Sequence, residues 1–417
     1  MIPQHKNIAA WSILFLLVFG LNPGTVYSQR VGGIPEQSIS RRLLVSNGPS
    51  GPIKGGESAV TDLLLLEDGW VYGSTKGTWG GVKCHLFRTD SEQVEHVLDL
   101  TSKFPQQIAI TDIAIGKGNV IIGSTSSSND VFDDSGNTYE GGRLFSFNPA
   151  SRQLDDYGII APGQGINCIT VDTARGIVYG VTYPAGHLFS YTIGTGNITD
   201  FGEVMTPWRV KDFGQVSWRG VPKVLFLDDA GTLYYATYLR ENKGAENGTA
   251  NETGQQTRST LKGGRIYRLT PGSDTPVFTG AVIPTQTGMD SDPLYENGIA
   301  SVIRAKDGGF WCGTINDGFL FKFYPSTSTV VNKGKAFQYW NLKSLAYGGD
   351  DNLYMLGGRD EDNSWLINYN PMMGSINTIG WPENTAQVGV ICADKAGRIL
   401  MAENQRHSFI WVYEDSK

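Results

Sequence analysis

The feature that most constrains this chain is a phrase repeated seven times: a Gly-led aromatic strand, a loop, then a second aromatic strand. The clearest copies are GWVYGST followed by HLFRTD (Gly69 to Asp90), GNVIIGST followed by GGRLFSFNP, and GIVYGVT followed by GHLFSY. GTLYYAT with GGRIYRLTP, GGFWCGT with GFLFKFYP, DNLYMLGG with SWLINYNP and GRILMAEN with SFIWVYE complete the series. Short strands at a fixed period, with almost no helical periodicity between them, predict a radial or solenoid β architecture. Seven copies predict an all-β, seven-bladed β-propeller. Such a ring presents equivalent loop positions from every blade around one axis.

Each repeat reads as four strands. An inner strand comes first, as in Val60 to Leu66, Ile108 to Ile115, Asn167 to Val171 and Gly389 to Ala393. The Gly-led strand is second, the aromatic strand third, and a weaker outer strand such as Gln153 to Ile159 is fourth. The seventh repeat ends near Tyr413 with no room for an outer strand. Arg41 to Ser46 (RRLLVS) is therefore expected to close the ring there, removing an exposed sheet edge.

Residues 1–28 read as a signal peptide. Lys6 gives a basic start, Ile8 to Gly20 is an apolar run, and Val26-Tyr27-Ser28 offers small residues for cleavage. The run is shorter than the roughly 20 residues a membrane span needs, so a secreted or periplasmic protein without a membrane span is expected. Residues 29–417 then form a single propeller domain, expected to be monomeric. A net charge of −7 with no Lys/Arg block argues against nucleic acid as a partner.

Cys84, Cys168, Cys312 and Cys392 fall in four different repeats without CxxC spacing, so free, mostly buried thiols are expected and no metal site. Two insertions, Ser126 to Glu140 and Leu239 to Leu261, lengthen the loop between second and third strands. Asp130, Asp133 and Asp134 in the first offer oxygen ligands for a structural calcium ion, but their spacing matches no ligand pattern. A solvated loop is the better reading, and no cofactor is required. The pairs Asp228-Asp229 and Asp350-Asp351 sit in turn contexts and read as hairpin residues, not as glycosidase carboxylates.

The residue just before the apolar start of each third strand carries the chemistry. In order these are His85, Arg143, His187, Arg265, Phe319, Trp365 and Ser408. An arc of Arg and His suits a carboxylate or sulfate through charge-assisted hydrogen bonds. Aromatic faces suit the C–H surfaces of sugar rings. Together they describe a site for an acidic polysaccharide or oligosaccharide. Taken singly, each also reads as a strand-start residue packing on its neighbours.

The segment GQGINCITVDTARGIVYGVTYPAGHLFSY (Gly163 to Tyr191) resembles the seven-bladed polysaccharide lyases that cut uronate glycans, the ulvan and rhamnose-glucuronate lyases. The resemblance implies β-elimination by a His pair 20 residues apart, followed by a Tyr and an Arg in the next repeat. The second His corresponds to His187 and the Arg to Arg265. The Tyr corresponds to Tyr238, with Tyr235 as the alternative. The first His corresponds to Asn167, an amide that cannot titrate. His187, Tyr238 and Arg265 are then the expected catalytic residues, and His85, Arg143, Asn167, Tyr235, Phe319 and Trp365 the expected substrate-binding ones. Two other readings stay open: an α-L-rhamnosidase-type glycoside hydrolase working from the opposite face, and a non-catalytic glycan- or protein-binding propeller.

Overall fold

The computed structural model describes residues 37–45, 51–54, 58–77, 83–127, 139–204, 221–237, 264–285, 297–315, 317–337, 341–358, 364–383, 387–404 and 408–415. Among these every regular element is a β-strand. Within each repeat, strands that follow one another in the chain pair antiparallel, and a single bridge between Lys76 and Ala109 joins the sheets of repeats 1 and 2.

Repeat 1 uses Ser58–Leu65, Val71–Gly77, His85–Thr89 and Val94–Asp99; repeat 2 uses Ala109–Ile115, Ile121–Ser126, Gly141–Asn148 and Gln153–Pro162. Repeat 3 uses Gly165–Asp172, Ile177–Tyr183, His187–Thr192 and Ile198–Glu203; repeat 4 uses Leu225–Leu227, Leu233–Thr237, Arg265–Leu269 and Val277–Val282. Repeat 5 uses Ile299–Arg304, Phe310–Thr314, Phe319–Tyr324 and Thr329–Lys335. Repeat 6 uses Asn341–Tyr347, Leu353–Gly358, Trp365–Asn370 and Ser375–Pro382; repeat 7 supplies Val388–Ala393, Ile399–Glu403 and Phe409–Tyr413.

The N-terminal segment completes two of these sheets. Arg42–Leu44 pairs antiparallel with Phe409–Trp411 as the outer strand of repeat 7. Just before it, Gln37–Ile39 pairs parallel with Gly380–Pro382 and adds a fifth strand to repeat 6. That second pairing has no counterpart in the repeat pattern, so the sequence reading did not anticipate it.

The glycine and phenylalanine of the repeated phrase explain each other. Gly73 lies directly opposite Phe87, Gly123 opposite Phe145, and Gly180 opposite Phe189. A Cβ on these glycines would sit 2.1, 2.3 and 2.4 Å from the tip of the facing ring. The second strand thus gives up a side chain so that the third can lay an aromatic ring across it, and the ring then fills the space between sheets.

Burial is concentrated between successive repeats. One apolar cluster joins Leu66, Tyr72 and Leu86 of repeat 1 to Ile110, Phe145 and Phe147 of repeat 2. Another joins Val60, Leu63 and Phe87 of repeat 1 to Leu400, Ile410 and Val412 of repeat 7. The inner strand of repeat 7 therefore packs beside that of repeat 1, as the inner strands of repeats 1, 2 and 3 pack in sequence.

The inner strands are bulged at matching positions, after Val60, Ile110, Ile166, Ile299, Leu342 and Val388. A bulge turns one extra side chain out of register, and here it is used to reach the next repeat. Thr61 donates to the carbonyl of Ile110 at 2.7 Å, Asn167 to that of Pro222 at 2.8 Å, and Lys343 to that of Val388 at 3.3 Å.

Candidate functional site

The equivalence of the third-strand positions holds in the register. His85, His187, Arg265, Phe319 and Trp365 each open a third strand, Arg143 lies two residues into its own, and Ser408 immediately precedes Phe409. They share the end of the sheets at which second strands hand over to third. Their environments differ sharply.

His85 is buried, with Nδ1 hydrogen-bonded to Nε2 of His96 at 3.0 Å and Nε2 3.5 Å from Asp99. Burial pushes its pKa down to about 4, the neighbouring His96 adds to the effect, and Asp99 opposes it. This imidazole is neutral and built into its own sheet. Ser408 is likewise interior, bonded to the hydroxyl of Ser58 at 3.0 Å.

Arg143 is held by two carboxylates, with Nε 3.2 Å from Glu140 and Nη1 2.9 Å from Asp156, while its guanidinium lies 5.3 Å from the Phe104 ring. Its charge is compensated before any ligand arrives. Trp365 packs at 5.1 Å on Trp381, and Phe319 lies 5.9 Å from the ammonium of Lys335.

His187 is different. Its side chain is 42% exposed, and Nδ1 lies 2.9 Å from Oδ2 of Asp200 on the neighbouring outer strand. Partial burial works against the Asp200 charge, but the Gly202 amide and His187 outweigh it and hold that carboxyl below its usual range. A carboxylate at Nδ1 selects the tautomer whose proton sits there, leaving the Nε2 lone pair as a base. The sequence reading missed Asp200 because the outer strands carry little pattern. The signal was present in the spacing of His187 and Asp200 across one short hairpin.

Arg265, half-buried, lies 4.8 Å over the ring of Phe278. Among the described residues it has no carboxylate partner, which sets it apart from Arg143. Lys335, across the strand pair from Phe319, adds a second cation at the same end in the next repeat.

Two other expected binding residues have structural employment. Asn167 is the bulged residue of its inner strand, and its amide donates to the Pro222 carbonyl. Tyr235 occupies in repeat 4 the register that glycine holds in repeats 1 to 3. It faces Tyr267, stacks on it at 5.6 Å, and is fully buried among Val181, Leu188 and Leu269. It is a core residue because nothing at that register can reach solvent. Tyr238 and the Asp130, Asp133, Asp134 loop lie outside the described residues, as does most of both insertions.

The acidic pairs behave as turn residues. Asp228 accepts from the amides of Ala230 and Thr232, and Asp350 from that of Asn352. All four cysteines are free thiols, three of them buried. No cluster of three or more potential metal ligands occurs among the described residues. No helix among them is long and apolar enough to cross a membrane, which leaves β-barrel spans unaddressed. At the opposite end of the sheets, a cavity of about 360 Å³ lies between the turns of repeats 6 and 7, lined by Asp350, Tyr354, Arg398 and Tyr413.

No protein-family model and no curated protein matches this sequence. Solved structures do match by shape. The extracellular domain of a one-component system protein from B. thetaiotaomicron superposes with a TM-score of 0.56 at 13% identity, over 90% of this chain and 40% of that one. The chain thus spans well under half of that relative. A streptogramin B lyase matches with a TM-score of 0.54 at 11% identity, over 86% of this chain and 95% of that one. The WD40 repeats of RRP9 match at 0.53 and 8% identity, over 90% and 99%. These likenesses define the class: an all-β protein of the β-propeller type.

Proposed function

We propose that the chain is a seven-bladed, ring-closed β-propeller, exported from the cell, that cleaves a uronic-acid-containing glycan by β-elimination. The observation that carries this reading is the half-exposed His187–Asp200 pair at the same sheet end as Arg265, a cation with no carboxylate partner among the described residues. Elimination across C4–C5 of a uronate removes the proton beside the carboxylate and expels the C4 oxygen. Arg265 would take that carboxylate in a bidentate contact and stabilise the negative charge that develops on it. His187, with Nδ1 fixed by Asp200, would remove the C5 proton through Nε2 and return it to the C4 oxygen as the C4–O bond breaks and the C4=C5 double bond forms, so the leaving sugar departs as an alcohol. Trp365 and Phe319 would offer ring faces to neighbouring sugars.

A second reading draws on Asn167. Its amide is committed to the Pro222 carbonyl, so one of the two imidazoles implied by the lyase resemblance is replaced by a structural tie. That favours a propeller that binds acidic glycans without cleaving them.

A panel of uronate glycans, assayed for ultraviolet-absorbing unsaturated ends and for reducing sugar, separates these readings. Unsaturated ends support elimination. Reducing sugar without the chromophore points to a hydrolase. Saturable binding with neither product leaves the binding reading in place and removes the lyase.

A further inference from the structure

The inner strands carry a second inter-repeat tie, one residue beyond the bulge, and in two adjacent repeats it is made by carboxyl groups. Asp62 accepts from the amide of Ile113 in repeat 2 at 3.2 Å, and from its neighbour Leu63 at 2.8 Å. Asp112, at the same register, accepts from the amide of Ile169 in repeat 3 at 2.8 Å. In repeat 6 the equivalent Ser344 accepts from Ile391 of repeat 7 at 3.0 Å. A serine suffices for that tie, so the carboxyls at 62 and 112 do something more. Asp62 reaches the amide of the residue next to Asp112, which brings the two carboxyl groups within interaction distance of each other. Two carboxyl groups can bond to each other only with a proton between them.

We propose that Asp62 and Asp112 share one proton as a pH-sensitive latch binding the inner strands of repeats 1, 2 and 3, a latch that weakens when the proton is lost. The shared proton lets one carboxyl donate to the other while both still accept from the next strand. Removing it places two negative charges side by side on half-buried inner-strand residues, where repulsion is screened less than at an open surface.

The surroundings offer no relief. The inner strand of repeat 7 contributes the Cys392 thiol and that of repeat 3 the Cys168 thiol, and burial raises the pKa of both, so they stay neutral. The second strands of repeats 1 and 2 contribute Ser74 and Ser124, paired with Thr61 and Thr111. Burial, then the charge of Asp62, then the bond to it raise the pKa of Asp112 well above the carboxylate range; burial also raises that of Asp62, against the bonds it accepts.

The sign follows from linkage. A carboxyl with a raised folded pKa contributes stability that is complete below its unfolded value, about 4. That stability is lost as pH rises through the folded value. The wild-type midpoint of thermal unfolding should therefore fall as pH climbs above the ordinary carboxylate range. Asp112→Asn keeps a donor toward Asp62 and an oxygen toward Ile169 but cannot ionise. It should flatten that slope and gain about 3 °C or more over wild type at the alkaline end. Asp62→Asn should do the same, while Asp112→Ala, which loses the acceptor, should be less stable at every pH. A protonated-carboxyl infrared band at neutral pH, present in the wild type and absent in Asp112→Asn, gives a readout independent of stability. Parallel stability profiles for wild type and both Asn variants, or no protonated carboxyl at neutral pH, would overturn the latch.

Discussion

Asp200 and His187 meet diagonally across the third and fourth strands of repeat 3, with Oδ2 and Nδ1 2.9 Å apart, while Phe189 lies directly opposite Asp200. The contact matters because an imidazole without a partner at Nδ1 interconverts between tautomers, and only one presents a base at Nε2. Asp200→Asn should lower turnover of a uronate glycan without abolishing it, and should shift the acidic limb of the pH–rate profile. Both effects should be smaller than those of removing His187. Kinetics as a function of pH check this. An unchanged profile would make the contact a surface ion pair, worth little.

Arg265 should discriminate by charge. Arg265→Ala removes a charge-assisted contact worth about 1.5–3 kcal/mol, so affinity for an acidic oligosaccharide should drop by roughly tenfold or more. Its carboxyl-reduced counterpart should bind both proteins alike in titration calorimetry. Equal losses for the two ligands would assign Arg265 to packing on Phe278.

The seam where the chain ends meet is held by polar groups as well as by strand pairing. Arg398 contacts Asp394 at 2.7 Å and Glu92 at 2.6 Å, Arg41 contacts Glu92 at 2.6 Å, and Ser91 donates to Asp394 at 2.6 Å. Asp394 is almost fully buried, so Arg398→Ala leaves a carboxylate short of its main partner, at a cost of about 3 kcal/mol. Truncation before Ser46 removes strand 42–44 and Arg41 together and should cost more. Denaturant melts of both variants test this, and wild-type midpoints would refute the seam.

His85 supplies a pH dependence on the acid side. Its pKa is pushed down to about 4, first by burial, so it is neutral in the folded protein and readily protonated when unfolded. The stability it contributes is present above the ordinary histidine value of about 6.5. It is lost as pH falls from there toward 4. Thermal midpoints between those limits should decline less steeply in His85→Asn than in the wild type. The effect occupies a different pH window from that of the Asp62–Asp112 pair, so the two can be measured separately.

Much of the fold was legible because its determinants are local in register. The Gly–Phe pairs at 73/87, 123/145 and 180/189 recur at the same register in successive repeats, and the strand at 42–44, which pairs with Phe409–Trp411, lies in a segment with no other partner in the repeat pattern. The parallel strand at 37–39 was not legible, since one extra pairing on an outer edge leaves no periodic trace. Site residues were harder. Position singles out His187 and Arg265 as candidates, yet position alone does not distinguish them from His85 and Arg143, whose partners lie in the weakly patterned outer strands. Tyr235 was misread as a ligand contact because its register is a glycine's in other repeats, and an aromatic ring there fills the core.

Whether His187 acts on a uronate at this end of the sheets is decided by product analysis of a single variant. Wild type and His187→Ala are incubated with the same uronate glycan, and formation of unsaturated chain ends is followed by ultraviolet absorbance. Unsaturated ends should accumulate with wild type, and about 10²–10⁴-fold more slowly with His187→Ala, at an unchanged unfolding midpoint. Equal rates for the two proteins, or no unsaturated product from either, would contradict it.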